Sequence, residues 1–213
     1  PIRSFVRRAG RLTPSQQRAL EELWPVYGVD LGNDALDLTS VFGRSAAIVL
    51  EIGFGNGDTP VQQASETPDC NFLGIEVHEP GVGHCLLMAQ SAGISNLKLV
   101  THDAIEVLER HVPLGSLQRI NLYFPDPWPK KRHHKRRIVQ AAFLQLAAAK
   151  LQPAGSLHIA TDWTNYAEHI DEVVTASGHF GVEQKSEHFG DQALARSTTK
   201  FEKRGLKKGH KIF

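Results

Sequence analysis

A carboxylate, an aromatic ring and a block of positive charge follow one another in the stretch NLYFPDPWPKKRHHKRR, residues 121–137. Apolar and polar residues alternate over 120–124, which predicts a β-strand, and the prolines on either side of Asp126 end it. Trp128 then supplies a flat apolar surface, and positions 130–137 hold six Lys or Arg and two His. Because ligands of an open α/β sheet bind beyond the C-terminal ends of its strands, this arrangement predicts a site that acts on a polyanion.

Each part of this stretch also has a simpler interpretation. A charge run is usually a solvated face, a Trp such as Trp128 is often a core residue, and Pro-Asp-Pro is often only a turn. Their adjacency at a predicted strand end favours a functional site over these separate explanations.

A glycine-rich turn follows the first predicted strand, AAIVLEI at residues 46–52. Gly53, Gly55 and Gly57 would let a ligand approach the backbone closely at the first strand-to-helix connection. The spacing G-x-G-x-G lacks the G-x-G-x-x-G of the dinucleotide fingerprint, so a dinucleotide oxidoreductase is disfavoured. By itself the turn fits a tight structural turn equally well.

Four predicted strands finish near an acidic residue: Glu51, Glu76, Asp103 and Asp126. Glu76 lies nineteen residues beyond Gly57, where an acidic residue at the end of a second strand would bind the ribose hydroxyls of a nucleoside. Four acids at one sheet edge predict a pocket for a ligand with hydroxyls, amines or positive charge.

The elements that must position these residues alternate between strand and helix, which is typical of an α/β domain. Strands are predicted at 46–52, 71–77, 97–102, 120–124 and 156–160, with a weak sixth near 180–184 and the start of a last strand at 210–213. Helices are predicted at 14–24, from about 60, and at 80–92, 136–151 and 166–176. Residues 25–45 are left unassigned.

Positive charge is concentrated in three segments, although the net charge is only +1. Residues 1–11, 130–137 and 200–213 hold 16 of the 24 Lys and Arg, whereas residues 12–129 hold 15 acidic and 5 basic residues. An acidic body with three basic clusters predicts a localised surface for a polyanion.

Cysteine usage and hydropathy indicate the compartment. Cys70 and Cys85 are the only cysteines and cannot form a disulfide scaffold, so a reducing cytoplasm is expected. No apolar run approaches the length of a membrane span. The 11 His are scattered without zinc-like spacing, so we expect no metal and no membrane partner.

Motifs spread over nearly the whole chain resemble the bacterial tRNA (guanine-N7-)-methyltransferase family. They are RSFVRR at 3–8, GRLT at 10–13, EIGFGNG at 51–57, GIEVH at 74–78, FPDPWPKKRH at 124–133, TDW at 161–163 and TKFE at 199–202. The FPDPW motif followed by Lys and Arg is specific to this family, whereas the glycine turn is shared by class I methyltransferases in general.

The resemblance implies a Rossmann-like class I methyltransferase fold, a mostly parallel seven-stranded sheet with helices on both faces. It implies S-adenosyl-L-methionine as methyl donor, S-adenosyl-L-homocysteine as product, and transfer to N7 of guanine 46 in the variable loop of tRNA. The chain is then one domain, monomeric or homodimeric, with residues 1–13 as a basic, flexible arm.

Roles are expected for the residues that match the family's functional positions. Asp126 is the expected catalytic residue. The expected cofactor-binding residues are Glu51, Gly53, Gly55, Gly57, Glu76, Asp103 and Asp126. The expected substrate-binding residues are Lys130, Asp162, Thr199, Lys200, Phe201 and Glu202. The expected RNA-binding residues are Arg132, His133, His134, Lys135, Arg136 and Arg137.

The chemistry of guanine N7 shapes what Asp126 is expected to do. N7 carries a lone pair and no proton, so the transfer needs no general base. We therefore expect Asp126 to orient the base and to stabilise positive charge. Trp128 or Phe201 is expected to stack on the target base once it leaves its stack in the RNA.

Two other functions remain open at the level of the sequence. Enzymes that methylate exocyclic amines also carry an Asn or Asp with prolines and an aromatic ring after the fourth strand, but they tend to have adjacent prolines, which Asp126 separates here. A non-catalytic RNA-binding module with a methyltransferase fold is the other alternative, although the intact acids and glycines argue against it.

Overall fold

The computed structural model of the chain describes residues 4–5, 10–181, 199–207 and 209–213. Its centre is a parallel sheet built from β1 Ile48–Ile52, β2 Asn71–Ile75, β3 Leu97–Val100, β4 Leu117–Tyr123 and β5 Leu151–Ala160. The strand order is β3-β2-β1-β4-β5, and every adjacent pair is parallel. The strands β1, β2 and β3 are added toward one edge of the sheet, and β4 and β5 are added on the other side of β1. The boundary between β1 and β4 is therefore the switch point where ligands of such sheets bind.

Helices cover both faces of this sheet, as predicted. They are α1 Pro14–Glu22, α2 Trp24–Tyr27, α3 Leu38–Phe42, α4 Asp58–Glu66, α5 Glu79–Ala92, α6 Ala104–Arg110, α7 Ala141–Lys150, α8 Thr164–Ser177 and α9 Lys200–Lys207. Apolar residues of α1, α2, α4 and α5 pack on one face, and those of α3, α6, α7 and α8 pack on the other.

The two cores explain why the central strands are apolar runs. In β1, Ile48, Leu50 and Ile52 belong to one core and Val49 belongs to the other. A strand covered on both faces must bury successive side chains, so the run AAIVLEI correctly predicted a central parallel strand.

The sheet has five strands among the described residues, whereas seven were expected. Residues 180 and 181 of the predicted sixth strand lie outside any strand, and 182–184 lie outside the described residues. At the predicted last strand, Phe213 and Thr161 exchange backbone hydrogen bonds of 2.9 and 3.0 Å. This reciprocal exchange is the pattern of an antiparallel pair next to the end of β5.

The prediction of a helix over 136–151 was wrong at its start. Residues Lys131–Arg136 form a 3₁₀ helix, and α7 begins only at Ala141. The 3₁₀ helix and α7 do not form one continuous helix because the backbone of Arg137 is extended, with φ −56° and ψ 132°. Pro153 to Gly155, expected to end that helix, instead lie within β5, where the register with β4 shifts.

Short helices were missed in segments with weak periodicity. The unassigned residues 25–45 contain most of α2 and all of α3, which Asp37 caps by accepting hydrogen bonds from Thr39 N and Ser40 N at 3.1 and 3.2 Å. Helix α6 was also not predicted. Helices of this length have too few turns for a helical period to show in the sequence.

Candidate active site

The glycine turn between β1 and α4 is packed directly against helix α5. Gly53, Gly55 and Gly57 have φ values of 71°, 61° and 90°, in the left-handed region that favours glycine. A Cβ on Gly57 would lie 2.4 Å from Sγ of Cys85, and a Cβ on Gly81 would lie 2.2 Å from O of Gly55. The turn therefore needs glycine for its backbone conformation and for its contact with α5.

Glu76 joins this turn to the end of β2. Its Oε2 accepts a hydrogen bond from Gly55 N at 2.9 Å, and its Oε1 accepts from Val77 N at 2.7 Å and from His78 N at 2.9 Å. The side chain is only partly buried. Because an ionised carboxylate offers about four lone-pair sites, Glu76 can still accept hydrogen bonds from ligand hydroxyls.

The other two predicted acids on this side have different environments. Glu51 is buried within the sheet, at 5% exposure, with Gly74 and Asn121 as its register partners. Asp103 caps α6 by accepting a hydrogen bond from Ile105 N at 2.9 Å. The expected row of four acids therefore separates into a buried Glu51, an edge carboxylate at Glu76, a capping Asp103 and an exposed Asp126.

The loop that carries Asp126 has an uncommon backbone on both sides of this residue. Phe124 and Trp128 have φ values of 49° and 44°, which residues with side chains rarely adopt. Phe124 N still donates to Ala160 O at 2.8 Å, so the loop leaves the sheet only after this bond. Strained backbone persists where its surroundings hold it in place, and it is common at functional sites.

The buried side chain of Arg137 supports the loop that carries Asp126. Its Nε donates to Pro127 O at 3.0 Å, and one terminal nitrogen donates to Oδ1 of Asn165 at 2.7 Å. Its guanidinium lies 4.8 Å from the ring centroid of Tyr166, and burial lowers the pKa of this arginine. At 2% exposure Arg137 is bound to the protein itself, so a structural role replaces the RNA contact expected for it.

Trp128 lies between the basic segment and the N-terminal residues. The guanidinium of Arg136 is 4.0 Å from the centroid of its ring, and its Nε1 donates to Ser4 O at 3.0 Å. Arg136 also donates to Phe5 O at 3.3 Å. One face of the indole is thus covered by Arg136, and the expected stacking of Trp128 on a target base stays a prediction. Residues 4 and 5 of the predicted flexible arm contact this loop.

The remaining cations of the 3₁₀ segment point away from the core. Lys130, Lys131, Arg132 and Lys135 are exposed, whereas His133 and His134 are partly buried. Desolvation, and next the positive charge of Arg132, lowers the pKa of His133, so this imidazole is neutral at physiological pH. The exposed lysines and arginine form a positive strip immediately after Asp126.

Asp162 follows β5 and meets the C-terminal residues. Its Oδ2 lies 3.0 Å from Nδ1 of His210, and a Cβ on Gly205 would lie 2.9 Å from the same oxygen. The structure thus brings Asp162 and helix α9 together, and the substrate-binding role expected for them stays a prediction. His210 was not predicted, because a single His near a glycine gives no signal of its own in the sequence.

Helix α9 starts with the TKFE motif. Glu202 N donates to Oγ1 of Thr199 at 3.1 Å, and Thr199 N donates to Oε2 of Glu202 at 3.4 Å, the reciprocal arrangement of a capping box. These two side chains therefore fix the start of the helix. The side chains of Lys200 and Phe201 lie outside the described part, so the predicted stacking role of Phe201 stays a prediction.

Metal-binding clusters and membrane-spanning helices are both absent among the described residues. Within these ranges no three His, Cys, Asp or Glu residues are grouped so that they could hold a metal ion. None of the described helices combines the length and the apolar composition needed to cross a bilayer.

Comparison with known proteins agrees with this geometry. The profile of a family described as putative methyltransferase matches residues 45–213. A tRNA (guanine-N(7)-)-methyltransferase from Aeromonas hydrophila is 54% identical over 212 residues, covering 100% of this chain and 90% of the relative. The proteins of the same name from Halorhodospira halophila and Nitrosococcus oceani are 52% and 50% identical, and cover 99% and 100% of the chain and 91% and 89% of the relatives.

Solved structures support the fold alone, because their sequence identities are low. The 16S rRNA methyltransferase KamB superposes with a TM-score of 0.51 at 16% identity, over 72% of this chain and 79% of that one. A precorrin-6y C5,15-methyltransferase from Geobacter metallireducens gives 0.51 at 14% identity, over 74% and 82%. The relatives above, which are at least 50% identical and match nearly all of this chain, place it in the tRNA (guanine-N(7)-)-methyltransferase family.

Proposed function

We propose that this protein transfers the methyl group of S-adenosyl-L-methionine to N7 of guanine 46 in the variable loop of tRNA, forming 7-methylguanosine. The observation that carries the proposal is the meeting of two unlike regions at one edge of the sheet. A glycine turn with a ribose-binding type of carboxylate, Glu76, lies on one side, and Asp126 followed by a positive strip lies on the other. The choice of tRNA as substrate and of guanine N7 as the methylated atom comes from the names of relatives that are 50–54% identical to this chain.

The residues around the glycine turn fit the cofactor. A Cβ on Gly53 or Gly55 would meet nothing within 4 Å, so bare backbone borders open space beside Glu76. Three backbone N–H groups fix the carboxylate of Glu76 in place, and its remaining lone-pair site can accept a hydrogen bond from a ribose hydroxyl. When bound there, S-adenosyl-L-methionine supplies a methyl group on a positively charged sulfur.

The reaction itself needs positioning more than proton transfer. The in-plane lone pair of guanine N7 forms the new N–C bond as the C–S bond breaks, and the electron pair of that bond remains on sulfur in S-adenosyl-L-homocysteine. The positive charge passes from sulfur to the purine, and no proton moves. The protein must therefore hold N7 in line with the breaking bond and favour a cationic base.

Asp126 is placed to do both. Its carboxylate can accept hydrogen bonds from N1–H and from the N2 amino group of guanine, which fixes the base edge. Its negative charge also favours the cationic product. The positive φ values at Phe124 and Trp128, held by the buried Arg137, keep the loop in one conformation, so the carboxylate needs little reorganisation during the reaction.

The positive strip binds the RNA backbone. Lys130, Lys131, Arg132 and Lys135 are exposed and lie immediately beyond the reacting loop. Contacts of this kind carry no base specificity, but they position the nucleic acid and respond strongly to salt. We place the enzyme in the cytoplasm, where tRNA is modified and where the thiols of Cys70 and Cys85 stay reduced.

The test is incubation of unmodified tRNA with S-adenosyl-L-methionine carrying a labelled methyl group, followed by nucleoside analysis and mapping of the labelled position. Label in 7-methylguanosine at the variable loop is the expected result. Label on an adenine amine would assign the enzyme to another reaction. Absence of label despite cofactor and tRNA binding would leave only a binding module.

A further inference from the structure

Asp162 and Asp126 follow the ends of two adjacent strands, β5 and β4, at the same height along the sheet. The hydrogen bond from Phe124 N to Ala160 O pairs the ends of β4 and β5 at 2.8 Å. Each aspartate follows its member of this pair by two positions. The two carboxylates therefore belong to the same edge of the site, and what orients Asp162 bears on the geometry of the reaction.

The C-terminal segment packs directly on Asp162. Nδ1 of His210 lies 3.0 Å from Oδ2, and a Cβ added at Gly205 would lie 2.9 Å from the same oxygen. The backbone N–H of His210 donates to Gly205 O at 3.0 Å, which joins the backbone of this residue to α9. The exchange of hydrogen bonds between Thr161 and Phe213 fixes the two chains on either side of this contact.

The chemistry of the pair sets the direction of its hydrogen bond. An ionised carboxylate can only accept, so Nδ1 of His210 carries the proton and donates to Oδ2 of Asp162. The χ2 torsion of an aspartate is intrinsically broad, so a carboxylate without such a donor would sample many orientations. The side chains of Asp162 and His210 keep 28% and 35% of their exposure, so the pair lies at the surface of the site.

We propose that His210 is a positioning residue for the methyl transfer. By occupying Oδ2, it fixes the carboxylate of Asp162 so that Oδ1 accepts a hydrogen bond from the target nucleotide. The structure gives Oδ1 no hydrogen-bond partner among the residues that it describes. This inference rests on the proposed function, in which Asp162 matches a substrate-binding position.

The experiment compares His210→Ala and His210→Asn with the wild-type enzyme. The amide nitrogen of Asn stands as many bonds from Cα as Nδ1 of His does, so Asn restores a donor near the same place, whereas Ala removes it. His179→Ala is the matched control, because His179 is an exposed histidine at the end of α8, away from this contact. The measured quantities are kcat and KM for unmodified tRNA, the Kd for S-adenosyl-L-methionine, and the thermal midpoint.

We expect His210→Ala to lower kcat by about 10- to 100-fold, the size of effect that misplacing a positioning group has, with KM and cofactor Kd within about twofold. His210→Asn should recover kcat to within about threefold of the wild type, and His179→Ala should match the wild type. In an Asp162→Asn background, His210→Ala should add little further loss, because the two residues act as one unit.

Three results would overturn the proposal. One is an unchanged kcat in His210→Ala. Another is an equal loss in His210→Ala and His210→Asn accompanied by a lower thermal midpoint or weaker cofactor binding, which would indicate a merely structural contact. A third is fully additive losses with Asp162→Asn. All three presuppose that the wild type forms 7-methylguanosine, and failure of that reaction would refute the proposed function instead.

Discussion

The two halves of the site are built by different means. On the cofactor side, backbone N–H groups hold Glu76, and close packing of glycine on Cys85 fixes the turn. On the substrate side, arginine side chains hold the structure in place: Arg137 lies beneath the Asp126 loop and Arg136 lies over Trp128. A rigid site made of backbone groups can bind a small ligand of constant shape. A large polyanion is bound better by exposed cations on a loop that side chains hold in place. Substitutions in the two halves should therefore affect different measurable quantities.

The largest expected effect is on turnover, at Asp126. We expect Asp126→Ala to lower kcat by about 100- to 1,000-fold, because it removes a charge aimed at the developing cation. The Kd for tRNA should stay within about threefold, since the strip of exposed cations remains. Single-turnover rates and filter binding measure the two quantities separately. Wild-type turnover in this variant would refute the assignment.

A tRNA with inosine in place of the target guanosine sharpens this test. Inosine lacks the N2 amino group but keeps N7, so the wild type should lose rate with it. Asp126→Ala should show almost no additional loss, because the acceptor for that amino group is already gone. Equal losses in both enzymes would show that Asp126 does not contact the N2 amino group.

On the cofactor side the expected effect is on folding and cofactor binding together. Gly57→Ala places a Cβ 2.4 Å from Sγ of Cys85 at a φ of 90°. We expect a loss of about 2 to 4 kcal/mol in the free energy of unfolding, from strain and overpacking, with weaker cofactor binding. Gly43→Ala is the control, since Gly43 has a φ of 67° but open space around it. Urea unfolding should show a loss of only about 1 to 2 kcal/mol there.

Removing exposed charge should affect RNA binding alone. The triple variant Lys131→Ala, Arg132→Ala and Lys135→Ala should weaken tRNA binding and reduce the slope of log Kd against log salt by about 2 to 3. Cofactor affinity should not change. Arg18→Ala, an exposed arginine on α1, is the matched control and should leave the slope as it is. An unchanged slope in the triple variant would place the RNA elsewhere.

The smallest expected effect concerns the support beneath the substrate loop and appears only at high pH. Burial raises the pKa of Tyr166 to about 12 from its ordinary value of 10.0. Between these values the unfolded chain has lost a proton that the folded protein keeps, so stability falls as pH rises. We expect the wild type to lose about 1 to 2 kcal/mol more than Tyr166→Phe between pH 10 and 11.5 in urea unfolding. Parallel curves for the two proteins would contradict this.

The sequence predicted the elements around the glycine turn more fully than those that follow Asp126. The apolar run before Gly53 and the spacing to Glu76 are local signals, and both led to the correct strand and the correct strand end. The start of α7 could not be predicted, because Ile138 and Val139 continue a helical period that the extended backbone of Arg137 interrupts. That interruption depends on Asn165 and Tyr166, nearly thirty positions later.

By itself, the sequence determined the alternation of strands and helices, the glycine turn and the placing of three basic clusters, because these follow from local periodicity, backbone freedom and charge. Only the tertiary structure decided which members of the basic run remain exposed, that Arg136 covers Trp128, and that His210 meets Asp162. In the sequence, Arg137 and Arg132 are the same kind of residue. Burial against a distant helix makes Arg137 a structural anchor, whereas Arg132 remains exposed. Contacts between residues far apart in the sequence leave no local pattern from which this difference could be predicted.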